Sequence, residues 1–159
     1  MKELILLRHA KSSWDYNVED RNRPLSNKGI ERIIETSKNN HDIFKDPHHV
    51  FSSPANRALH TATIMMHESD ITFNKLTVDE KLYSFNFEKI IQYVYNLDDK
   101  FSKVVLVGHN PAFTMAANHL GNLSLNNIRT ACWVRIFFSE SLWLEVSKVK
   151  KIEKSERIQ

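Results

Sequence analysis

The run Leu4-Ile5-Leu6-Leu7-Arg8-His9-Ala10 decides how the rest of the chain is read. Its unbroken apolar stretch describes a strand covered on both faces, not one that alternates between core and water. The stretch then stops on a cation and an imidazole. The same pattern returns at Val104-Val105-Leu106-Val107, which ends in Gly108-His109-Asn110-Pro111. A shorter version, Val50-Phe51, ends in Ser52-Ser53-Pro54. Helical patterns lie between these strands. Ser26 can cap a helix with Ile30, Ile33 and Ile34 on one face. Ser53-Pro54 and Asn110-Pro111 each read as a cap followed by proline at the first helical position. The first of these helices runs toward His67 with Ala58, Ala62, Met65 and Met66 facing the core. The second runs to Leu120, with Gly121 as its stop. Phe87, Ile90, Ile91 and Val94 recur at helical spacing.

Alternation of strand and helix predicts an α/β three-layer sandwich: a mainly parallel central sheet with helices on both faces. Trp133 to Phe138 and Leu142 to Ser147, around Ser139-Glu140-Ser141, read as a hairpin that adds an antiparallel edge. A length of 159 residues suits one domain. Its expected extent is 1–147, followed by a frayed basic tail at 148–159. That tail holds five basic and two acidic residues and so carries the whole net charge of +3, while the body balances 17 against 17. A basic tail without interleaved aromatic platforms argues against a nucleic-acid partner. No apolar run reaches the roughly 20 residues of a membrane span, and Leu4–Leu7 is too short for a secretory core. The single cysteine, Cys132, leaves no internal disulfide and no CxxC metal site, so a reducing, cytoplasmic setting is expected.

In open α/β sheets ligands bind beyond the carboxyl ends of the strands. Arg8-His9, Ser52-Ser53-Pro54 with Arg57, and Gly108-His109 leave three such ends on one side. The nucleotide-loop patterns GxxxxGK[ST] and GxGxxG are both missing. Two guanidiniums beside helix N-termini suit a dianion such as a phosphoryl group. Positive neighbours and burial keep His9 neutral, with a ring nitrogen free to attack phosphorus. His109 can hydrogen-bond an oxygen of the transition state. The other histidines, His41, His48, His49, His60, His67 and His119, read as ordinary surface or helix residues. Trp14, Trp133 and Trp143 read as packing residues, and Cys132 as an apolar filler.

These residues resemble the histidine phosphatase superfamily, whose fold is phosphoglycerate mutase-like. The resemblance rests on Leu7-Arg8-His9-Ala10, on Ser52-Ser53-Pro54 with Arg57 and Thr61, and on Val107-Gly108-His109-Asn110-Pro111. The longer run from Leu7 to Trp14, followed by Arg23-Pro24-Leu25-Ser26 and Gly29, is similar to the small SixA-type phosphohistidine phosphatase branch. The resemblance implies a phosphohistidine intermediate on His9 and a phosphate pocket of Arg8, Arg57 and His109, with no metal or other cofactor. It also implies that Arg23 reaches the site from the loop after the first strand. Larger members carry a glutamate before an aromatic-glycine pair. Asp79-Glu80-Lys81-Leu82-Tyr83-Ser84 is similar to that segment, with Ser84 in place of glycine, and this makes Glu80 the implied proton donor.

The leaving group bears on the substrate. An alkoxide needs a placed acid, whereas a phosphorylated imidazole protonates near neutral pH and leaves as a neutral base. A site poor in acid therefore suits protein phosphohistidine. Only one helix-sized segment lies between Arg57 and Glu80, and only one between Ser84 and Lys103, so no long lid is expected over the pocket. The partner expected on this reading is a phosphorylated protein. Two alternatives stand beside it: a phosphatase of small phosphoester or phosphoanhydride metabolites using Glu80 as acid, and a non-catalytic phosphate-binding module.

Overall fold

The apolar runs become adjacent strands of one sheet. In the computed structural model, which describes residues 1–159, the strands are β1 (Lys2–Arg8), β2 (His49–Ser52), β3 (Leu76–Val78), β4 (Lys103–Gly108), β5 (Trp133–Phe138) and β6 (Val149–Lys154). The helices are α1 (Asn27–Asn39), α2 (His41–Phe44), α3 (Asn56–Glu68), α4 (Phe87–Tyr95) and α5 (Ala112–Gly121). The strand order is β3-β2-β4-β1-β5-β6. The first four in that order pair in parallel, and β5 and β6 add antiparallel edges.

Successive residues of the central strands point to opposite faces, and both faces are covered. Leu4, Leu6, Val104 and Leu106 join a core with α4 and α5. Ile5, Leu7, Val105 and Val107 join a second core with α1, α2 and α3. The chain leaves β1 for α1 on one face and leaves β4 for α5 on the other. Because Arg8 is paired with Gly108 in the register, the topological switch point opens between these two strand ends, where a ligand crevice is expected. No helix is long and apolar enough to cross a membrane.

Several local expectations shift. Helix α3 starts at Asn56, with Ala55 as its cap residue, so Pro54 precedes the helix. Ser53 instead accepts a hydrogen bond from the Ala55 amide through Oγ, at 3.2 Å. Helix α5 starts at Ala112, and Asn110 Oδ1 accepts from the Thr114 amide at 3.1 Å. It ends on Asn122 in the left-handed region, one residue beyond the predicted glycine stop. The hairpin is built differently as well. Leu142–Ser147 is not a strand, because Trp143 is fully buried in a 3₁₀ turn. Its indole N–H donates to the Phe101 carbonyl at 2.8 Å, and its amide to Asp99 Oδ1 at 2.7 Å.

The segment expected to be a frayed tail supplies the partner of β5. Strand β6 pairs residues 149–154 with β5, and beyond it Ile158 is buried in the core. The Arg129 amide donates to the Ile158 carbonyl at 2.9 Å. The lysines of this segment hid its pattern: Val149 and Ile152 pack against the core while Lys150 and Lys151 stay exposed. Trp133 and Trp143 are core residues, as expected, but Trp14 is 78% exposed.

Candidate active site

His9 follows β1, and its backbone is tied to the neighbouring strand by N–H donation to the Gly108 carbonyl at 3.0 Å. The side chain is almost fully buried. Nδ1 lies 2.7 Å from the Ala10 carbonyl, an oxygen that can only accept, so Nδ1 carries the proton and Nε2 keeps its lone pair. Burial lowers the His9 pKa to about 3. The Ala10 bond opposes this, and the charges of Arg57, Arg8 and Arg23 add to it. The result is an uncharged imidazole with a free nitrogen among guanidiniums.

His109 follows β4, and its ring centroid lies 5.2 Å from that of His9. Nε2 is 2.8 Å from Ser53 Oγ, which brings the end of β2 into the site. Ser53 Oγ accepts from the Ala55 amide and still has its own proton to offer Nε2. In the tautomer that accepts from Ser53, His109 Nδ1 carries the proton as a donor, and this atom is buried without a partner. Burial and then His9 and Arg57 lower the His109 pKa to about 3. Gly108 allows this turn because a Cβ there would lie 2.6 Å from the Phe113 ring.

Arg57 sits in the first turn of α3, where the backbone amides of Asn56 and Arg57 make no hydrogen bond. Arg8 is held by donation from Nη1 to the Ile128 carbonyl at 2.8 Å, and its Nε is buried without a partner. Orphaned buried polar atoms are uncommon in folded proteins. Of the four buried side-chain nitrogen and oxygen atoms without a partner in this protein, two belong to this cluster. Thr61 braces it, donating to the Arg57 carbonyl at 2.6 Å and accepting from the Ala10 amide at 2.9 Å.

Arg23 reaches the cluster from the loop after β1. It donates to Asp20 Oδ1 at 3.2 Å and to Ser12 Oγ, and its guanidinium stacks 3.2 Å from the centre of the Trp14 ring. Trp14 is thus an exposed stacking partner and not a packing residue. Sequence reasoning missed Asp20 and Tyr83. Asp20 Oδ2 accepts from Arg57 Nη2 at 2.9 Å and from Tyr83 Oη at 2.5 Å. The Tyr83 ring packs edge-on against His109, with centroids 5.4 Å apart. The only signal for these two was proximity in chain order to Arg23 and Glu80. Partial burial would raise the Asp20 pKa, but the bonds from Tyr83, Arg57 and Arg23 outweigh it and lower the carboxyl to about 2.

The structure does not gather Glu80 into this cluster. It lies in a 3₁₀ turn at Glu80–Leu82, exposed, with both carboxylate oxygens on the Arg21 guanidinium. That pairing lowers its pKa, whereas a proton donor at neutral pH needs it raised. Arg21 was invisible as a competitor because 59 residues separate it from Glu80. No group of three histidine, cysteine, aspartate or glutamate side chains is arranged as a metal site would need.

Fold and site together define an α/β protein with two neutral imidazoles between arginines at a sheet switch point. A family model described as the histidine phosphatase superfamily (branch 1) matches residues 4–92, and the chain belongs to that superfamily. Three solved structures are similar in fold. One, assigned as the phosphohistidine phosphatase SixA of Agrobacterium tumefaciens, is 21% identical over 86% of this chain and 92% of that one, with a TM-score of 0.77. The protein histidine phosphatase SixA complexed with tungstate is 16% identical over 96% and 95%, with a TM-score of 0.80. A mycobacterial glucosyl-3-phosphoglycerate phosphatase is 13% identical over 96% and 97%, with a TM-score of 0.67. A search of curated proteins returned no match.

Proposed function

We propose that this chain hydrolyses phosphohistidine on proteins through a covalent intermediate on His9. One observation carries the mechanism. Donation from Nδ1 to Ala10 leaves His9 Nε2 an unprotonated nucleophile inside a cationic pocket. Arg8, Arg57 and the free amides of Asn56 and Arg57 would hold the phosphoryl oxygens, and His109 Nδ1–H would donate to one of them. Arg23 adds positive charge at the rim. Nε2 attacks phosphorus, and the bond from phosphorus to the leaving group breaks. Water then attacks phospho-His9, releasing inorganic phosphate and restoring the imidazole. These groups supply the charge and the nucleophile, so the reading requires no metal or cofactor.

The substrate class follows from the carboxylates. Asp20 is held ionised by its arginines and tyrosine, and Glu80 by Arg21. Neither stands ready to protonate an alkoxide. A phosphorylated imidazole does not need that help, because it takes a proton from water near neutral pH and leaves neutral. The phosphorylated partner would be a protein of the same reducing, cytoplasmic compartment that a buried free Cys132 suits.

The test compares a phosphohistidine peptide with an alkyl phosphate and with para-nitrophenyl phosphate, using wild type and His9→Ala in EDTA. The reading expects kcat/KM at least about 10²-fold higher on phosphohistidine than on the alkyl ester, the size of a missing general acid. It also expects an acid-labile phosphoenzyme that disappears in His9→Ala. Equal turnover of peptide and alkyl ester would favour a small-metabolite phosphatase, and full activity in His9→Ala would end the proposal.

A further inference from the structure

Of the 22 lysines and arginines of this protein, 11 are matched by carboxylates in salt bridges. Arg135 bridges Glu3 and Glu153, Arg21 meets Glu80, and Arg23 and Arg57 share Asp20. Five of the 11 unmatched cations gather in one region. A cleft of about 610 Å³ beside the active site is lined by Arg8, Lys11, Lys28, Arg32, Arg129 and Arg157. Its only carboxylates are Glu31 and Glu35. Arg32 pairs with Glu35 at 3.1 Å, and the other five cations make no salt bridge. The cleft therefore holds a net +4 of formal charge, while the rest of the chain carries a net −1.

The cations come from the end of β1 and the loop after it, from α1, from the loop before β5 and from the segment after β6. Strand β6 carries the chain across the sheet edge, which places Arg157 on the same side as Arg8. Arg8 belongs both to this cleft and to the phosphate cluster, so it links the cleft to the pocket. Concentrated cations facing solvent attract an anionic partner and orient its approach.

We infer that this cleft docks an acidic segment of the phosphorylated protein, with the phosphohistidine reaching His9 past Arg8. The inference rests on the phosphohistidine reading above and specifies its substrate. Three observations select a polypeptide. No hydrophobic or aromatic residue lines the cleft, so a nucleic acid would find no platform for its bases. Trp14, in the loop after β1, does not line the cleft, and Arg23 stacks on one face of its ring. Five unpaired cations drawn from four chain segments also exceed what one additional phosphate on a small molecule requires.

Two phosphohistidine peptides test this, one with four flanking glutamates and one with four flanking glutamines. They are assayed with wild type and with the triple variant Lys28→Gln, Arg129→Gln, Arg157→Gln. These three residues lie outside the proposed catalytic set, and para-nitrophenyl phosphate turnover serves as the control for an intact site. In wild type the glutamate peptide is expected to show the lower KM, with an advantage that fades as salt is raised. In the triple variant its KM rises about tenfold with kcat unchanged, as expected for three lost exposed charge pairs. The glutamine peptide and para-nitrophenyl phosphate are unaffected. Equal KM for the two peptides in wild type, or a preference that survives in the triple variant, overturns the inference. So does a single-stranded oligonucleotide that outcompetes the glutamate peptide. Fluorescence anisotropy with the unphosphorylated glutamate peptide separates the two readings. A chain that turns over nothing yet binds this peptide through Lys28, Arg129 and Arg157 keeps the docking cleft and loses the phosphatase.

Discussion

Acidification should destabilise this protein through the two histidines that face each other at the strand ends. Both have pKa values of about 3 in the folded chain, against about 6.5 for a free imidazole. The unfolded chain therefore binds protons that the native state refuses. Stability is fully present above the unfolded value and is lost as pH falls toward the folded one. Between those limits each histidine contributes a slope of about 1.4 kcal/mol per pH unit. Lowering the pH from about 7 to about 4.5 thus removes about 2.7 kcal/mol per histidine, and at most about 5 for the pair. That is a large share of the roughly 5–15 kcal/mol that holds a domain folded. The assay is urea unfolding of wild type, His9→Gln and His109→Gln at the two pH values, followed by tryptophan fluorescence. Each variant should lose about 2.7 kcal/mol less on acidification than wild type. Asp20 and the remaining carboxylates titrate alike in all three chains, so the difference isolates the histidine. Three parallel stability–pH curves would refute the reasoning. It would then follow that these imidazoles titrate normally and are not held neutral by burial and arginine.

Two further outcomes probe the fold around the site. Gly108→Ala places a methyl group 2.6 Å from the buried Phe113 ring. It should cost about 1–3 kcal/mol by chemical denaturation, whereas wild-type stability would mean that the ring has room to move. Ile158→Ala removes a side chain only 5% exposed, packed beneath the end of the chain. A loss of about 2–4 kcal/mol is expected, and a negligible loss would restore the picture of a frayed tail.

Much of the fold was legible because burial writes itself locally. Leu4–Leu7 and Val104–Val107 each supply both cores of one sheet, and a strand buried on both faces has no polar alternate. His9, His109, Arg8 and Arg57 could be picked out because each follows a strand end, and parallel strands deliver their ends to one side. Strand β6 was masked because lysines occupy its exposed positions, and charge alone cannot separate an edge strand from a solvated tail. The Leu142–Ser147 segment misled because its apolar residues fit a strand equally well. Only the hydrogen bonds of Trp143 to Asp99 and Phe101, some 40 residues away, turn it inward.

The sequence by itself determined the class of fold, the strand-end placement of two imidazoles and two guanidiniums, and the phosphoryl chemistry they suit. It did so because hydrophobic periodicity and motif spacing are properties of near neighbours along the chain. Tertiary structure alone decided which carboxylate meets which arginine: Asp20 with Arg57 and Arg23, and Glu80 with Arg21. It alone gathered Arg8, Lys28, Arg129 and Arg157 around one cleft. Ion pairing depends on distance in space, and folding brings together charges whose separation along the chain carries no trace of that meeting.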